Sequence, residues 1–85
     1  MPELSRFLGV VISMYYNDHR PAHFHASYGE FGLIVYLEDG SLEGRFPRRA
    51  TNLVLEWYHL HRDELSRNWA RAVRHEPLLP IPPLE

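Results

Sequence analysis

Two histidines, His23 and His25, stand one residue apart in the run His23-Phe24-His25-Ala26-Ser27-Tyr28. On a strand, positions i and i+2 project from one face about 7 Å apart, so the imidazoles share a side while Phe24, Ala26 and Tyr28 occupy the other. Rings placed so can share a metal ion or a substrate. With His19 in the preceding loop and Glu30 past the next turn, the set His19, His23, His25 and Glu30 offers a three-His or a two-His-one-carboxylate site for a divalent transition metal such as zinc. The same rings also serve without metal. Histidine titrates near neutral pH, so His23 and His25, assisted by His19, can act as acid and base in cleaving an RNA phosphodiester. A third reading is purely structural: both rings are the polar face of an amphipathic strand.

All nine basic residues are arginine. The guanidinium fork suits phosphate and carboxylate, although surface arginine also serves solubility alone. Arg20, next to His19, or Arg45 can stabilise developing negative charge. Arg45, Arg48 and Arg49 cluster where the last strand should enter a helix. Cations at a helix N-terminus oppose its dipole, so either a phosphate or an acidic protein surface covers them, or their side chains swing into solvent. Residues 1–42 carry net charge -3 and residues 43–75 net +3, which makes the C-terminal half the side to meet an anionic partner. His59 and His61 repeat the His-x-His spacing, but on a helix they point about 200° apart and do not chelate together.

The elements that must position these residues are legible from periodicity. Leu8, Val10, Ile12, Met14 and Tyr16 alternate within Phe7 to Tyr16, which predicts a first strand. The polar loop Asn17-Asp18-His19-Arg20-Pro21 leads to the histidine strand. Gly29-Glu30 turns into a third strand, Phe31 to Leu37, whose apolar run suggests burial on both faces or a central position. Asp39-Gly40 is the strongest hairpin signal and leads to a fourth strand around Leu42 to Phe46. Such short connections predict an antiparallel meander.

Pro47 fits the first turn of a helix. Ala50, Leu53, Val54, Trp57, Tyr58 and Leu60 then recur at helical spacing, continued by Leu65, Trp69, Ala72 and Val73. One helix from Arg48 to His75 would be about 40 Å long, too long for a chain of this size, so a break is expected near His61 to Asp63. The predicted fold is α+β: a four-stranded antiparallel meander and two C-terminal helices packed on one face, in the order β-β-β-β-α-α.

The chain of 85 residues, 45% hydrophobic, suits one core. Residues 1–75 are read as a single α+β domain and residues 76–85 as a proline-rich, polyproline-like tail that packs on the domain or on a partner. Without cysteine there is neither a disulfide framework nor a thiolate zinc site, which fits a reducing cytoplasm. Neither a signal peptide nor a membrane span is expected, since the best apolar run is interrupted by Gly9 and Ser13.

The string Met14 to His25, then Tyr28-Gly29-Glu30, Phe46-Pro47-Arg48-Arg49-Ala50, Glu56-Trp57 and Leu60-His61-Arg62-Asp63-Glu64-Leu65 to Asn68-Trp69, resembles the bacterial domain-of-unknown-function family numbered 4160. Ala22 departs from it, standing where many relatives carry a second proline. Members are small proteins often encoded beside another small protein, and some are described as toxins of toxin–antitoxin pairs. The resemblance implies action on RNA or translation and neutralisation by a cognate, antitoxin-like protein. It transfers no catalytic role to any residue. The alternative is a non-catalytic interaction or metal-binding module, monomeric or homo-oligomeric, whose arginines and tail dock a protein.

Overall fold

The structure is a computed structural model that describes residues 2–16 and 18–85. Asn17 of the expected loop lies outside the described residues. Five strands form one antiparallel sheet in sequence order: β1 (Glu3–Phe7), β2 (Val10–Ser13), β3 (His23–Tyr28), β4 (Phe31–Tyr36) and β5 (Leu42–Arg45). Helices α1 (Arg48–Leu60) and α2 (Arg62–Val73) follow.

The α+β meander with two C-terminal helices is therefore as expected, with one strand more. The order is β-β-β-β-β-α-α, because the run read as one strand from Phe7 turns back at Leu8-Gly9. Both turn residues have positive φ, 50° and 85°, the backbone of a two-residue hairpin whose twist matches its strands. Phe7 thereby pairs with Val10. Leu8 is carried out into solvent, and an upstream strand, Glu3–Phe7, joins the sheet.

Register partners across antiparallel strands share a face. Val10, Ile12, Phe24, Ala26, Leu33 and Val35 fall on one side and are buried. Helix α1 lies there, with Val54, Trp57 and Tyr58 buried against it. The Trp57 ring meets Phe7 and Phe24, both at 5.7 Å between centroids. Each such buried ring contributes about 1.5–3 kcal/mol of transfer free energy. The opposite face carries Val11, Ser13, His23, His25, Ile34 and Tyr36. It is only partly covered, so of the two expectations for the apolar run of β4 the central position holds, between β3 and β5, and burial on both faces does not.

The helices part at His61, whose φ of -123° leaves the helical region. This is where the break was expected, and it swings α2 toward the start of β3. The proline-rich segment then doubles back along both helices. The Asn68 side chain, fully buried, donates to the Leu79 carbonyl at 2.8 Å and accepts from the Leu79 N–H at 2.9 Å. Trp57 Nε1 donates to Pro82 O, the Ile81 N–H donates to Leu4 O, and Ile81 is buried in the core. The tail is packed on the domain. No described helix is long and apolar enough to cross a membrane.

If Asn68 holds the tail, Asn68→Ala strands a buried peptide group and should cost about 1–3 kcal/mol, read as a lower urea midpoint at unchanged slope. Leu60→Ala, at an exposed position, is the reference. Equal midpoints for the two variants would refute the clamp.

Candidate metal centre

The site lies at the end of the sheet where β2 leaves and β3 begins. His25 sits opposite Ser13 on β2 and His23 opposite Tyr36 on β4. Period-two geometry puts both imidazoles on one face, and the loop between β2 and β3 closes over them.

Asp18, from that loop, joins the rings. Its Oδ2 lies 2.9 Å from His23 Nε2 and 3.0 Å from His25 Nε2. The three ligand-type atoms lie within 4.8 Å of one another. His23 is fully buried, its ring 5.3 Å from Trp69 of α2 and 4.8 Å from a stacked His19. The side chain of His25 keeps 31% exposure and packs edge-on against Tyr15 at 4.6 Å.

Donor accounting fixes the tautomer of His23. Its Nδ1 lies 2.8 Å from the Pro21 carbonyl oxygen, which only accepts, so Nδ1 carries a hydrogen. The other nitrogen, Nε2, faces a carboxylate oxygen. Two lone pairs at that distance repel, so a proton lies in the contact unless a cation replaces it. At Asp18 burial alone would raise the carboxyl pKa. Hydrogen bonds from His25 and the His19 N–H, with the charge and hydrogen bond of His23, outweigh burial and hold it below the ordinary aspartate value.

A cavity of about 160 Å³ opens beside Asp18, lined by Tyr15, Asp18, Arg20, Trp69, Ala72 and Val73. Four of the expected site residues meet here: His23 and His25 directly, His19 as a ring stacked on His23, and Arg20 on the cavity wall. His19 is exposed, its Nδ1 turned to the Arg20 carbonyl and its Nε2 3.9 Å from Asp18 Oδ1.

Glu30 does not join them. It lies in the turn after Tyr28, beyond a strand that carries it roughly 17 Å from His23. Asp18 takes the place given to Glu30 in the expected donor set. Arg45, Arg48 and Arg49 are also at that far end. Arg45 is level with Gly32 and hence with Ser27, about 13 Å along the sheet from His23, and Arg49 lines a hollow with Leu8 and Tyr28. Neither Asp18 nor Trp69 was singled out as a site residue from sequence, and Trp69, partly buried, packs both against the core and on His23.

The family model described as Domain of unknown function (DUF4160) matches residues 9–70. The chain belongs to that family. No curated protein and no solved structure matches it.

Because Asp18 holds both rings, Asp18→Ala should cost about 1–3 kcal/mol at pH 7. A carboxylate whose folded pKa lies below its unfolded value contributes fully above the unfolded value, and the contribution fades as pH falls through the folded one. The gap between wild type and Asp18→Ala in urea titrations should therefore narrow below about pH 3.8. A gap that widens in acid would contradict the arrangement.

Proposed function

We propose that Asp18, His23 and His25 bind a divalent transition metal such as zinc through two imidazoles and one carboxylate. The observation that carries this reading is the Nδ1–H bond of His23 to the Pro21 carbonyl. Ligating histidines commonly donate their second N–H to a carbonyl or carboxylate, which fixes the ring and directs the other lone pair at the metal. The Asp18 Oδ2 separations of 2.9 and 3.0 Å are close to the spacing of about 3.3 Å that a tetrahedral centre with bonds of about 2.0 Å keeps between ligand atoms, and the three atoms, within 4.8 Å of one another, would have to adjust around an ion. Two imidazoles and one carboxylate would leave coordination positions for water or a ligand, and a cavity lies beside Asp18.

Burial separates this reading from metal-free acid–base catalysis by the histidine pair. A general acid or base must reach the proton it transfers, and His23 has no exposed surface and both nitrogens engaged. A ligand needs only its inward lone pair. The second reading therefore narrows to His25, half-exposed and oriented by Asp18, as the base of a toxin-like enzyme acting on RNA, with Arg20 supplying positive charge and a cognate small protein neutralising it.

Elemental analysis of the untagged protein, refolded or dialysed with zinc, should show about one equivalent, lost in His25→Ala and Asp18→Ala and removed by chelator with a drop in melting temperature. Protein that takes up no metal under these conditions refutes the site. Growth arrest on expression that His25→Ala relieves, in protein free of metal, supports the second reading instead.

A further inference from the structure

The metal site faces a particular kind of wall. Arg20 borders the cavity beside Asp18 and also a larger neighbouring hollow of about 710 Å³, with which the small cavity shares Arg20, Trp69 and Val73. The two spaces meet at these side chains. Among the described residues Arg20 has no ion-pair partner, unlike Arg6 and Arg74, which pair with Glu3 and Glu76. Asp18, the carboxylate nearest to it in sequence, is turned to the two imidazoles.

Charge then selects the ligand. A divalent ion held by two neutral imidazoles and one carboxylate keeps half its charge uncompensated, and Arg20 adds another positive charge at the same opening. A neutral or cationic ligand leaves both unsatisfied, whereas an oxyanion can place one oxygen on the metal and others in the guanidinium fork. The small cavity admits a head group only. The larger hollow, walled by Trp69, Ala70, Val73 and Pro21, offers mostly apolar surface for the remainder of the molecule.

Resting on the metal reading above, we infer that this site takes a small organic oxyanion, a phosphate monoester or a carboxylate, with its head between the metal and Arg20 and its apolar body against Trp69. Arg20 is thus a specificity residue for the charge of the ligand. The arginines of the β5–α1 junction take no part.

Calorimetric titration of the zinc-loaded full chain tests this with three probes of one shape: phenyl phosphate, benzoate and neutral phenol. At least one of the two anions should bind, ten-fold or more tighter than phenol, and the tighter anion identifies the head group. Arg20→Ala should weaken that anion by about ten- to a hundred-fold, the usual effect of deleting a charge-assisted hydrogen-bond pair. Its zinc content and melting temperature should be unchanged, Arg20→Lys should recover part of the loss, and Arg49→Ala should bind as wild type. Zinc uptake with no anion binding, anions no tighter than phenol, or an Arg20→Ala variant that binds normally each overturns the inference and leaves the metal site standing. Failure to take up zinc removes both.

Discussion

One carboxylate oxygen, Oδ2 of Asp18, meets two imidazole nitrogens at hydrogen-bond distance, and the site end of the molecule is organised around that convergence. The sheet alone would hold His23 and His25 side by side but leave their nitrogens unaimed. Asp18 brings both Nε2 atoms to one point, and the Pro21 carbonyl aims one of them from behind. The Asp18 loop is held in turn by its own contacts, since Asp18 Oδ1 accepts the His19 N–H and the ring of His19 stacks on His23. A loop of nine residues is thereby given the precision that function usually draws from regular elements.

Helix α2 supplies the other wall, and its placement depends on the tail. Asn68 and Trp69 are neighbours on α2 and so point about 100° apart. Asn68 clamps the Leu79 peptide group, while Trp69 covers His23 and lines both cavities. The break at His61 lets α2 keep Leu65 and Ala72 in the core that α1 buries while Trp69 reaches His23 at the sheet's end. The packing of Ile81 and the hydrogen bond from Trp57 to Pro82 tie the tail to the same core that α1 buries. The proline-rich tail, read as packing on the domain or on a partner, thus packs on the domain and braces the helix that shapes the site.

Period-two alternation was enough to place His23 and His25 on one face, and the helical stripe and its break near His61 were equally readable. The rest failed for local reasons. The pattern of alternation ran on through Leu8-Gly9 because that pair lacks the Asn-Gly or Asp-Gly signature, and only Gly9 hinted at the reversal that lets Phe7 face Val10. Asp18 was hidden by its place in a loop, where no periodicity says which way a side chain points. Glu30 looked equivalent by sequence distance, but five residues of extended chain are a span of roughly 17 Å and take it to the wrong end of the sheet. The Arg45, Arg48 and Arg49 cluster lies apart from the histidines for the same reason: Arg45 pairs with Gly32, level with Ser27 and four register steps from His23, and sign of charge says nothing of position.

Stability alone does not account for the cluster. Burying a polar ring and a carboxylate carries a desolvation cost that their mutual contacts offset only in part, and an apolar residue of similar size commonly serves a core as well or better. Position His23 borders Trp69 and Tyr36, an environment in which an aromatic hydrocarbon side chain would pack without polar partners. The chain instead places an imidazole there, adds a carboxylate from a loop, and leaves a cavity beside them rather than filling it. A perturbed carboxylate that converges with two imidazoles beside a cavity is a pattern met at functional sites as well as in structural ion-pair networks. A ligand in that cavity, as proposed above, would give the histidines a role beyond the fold.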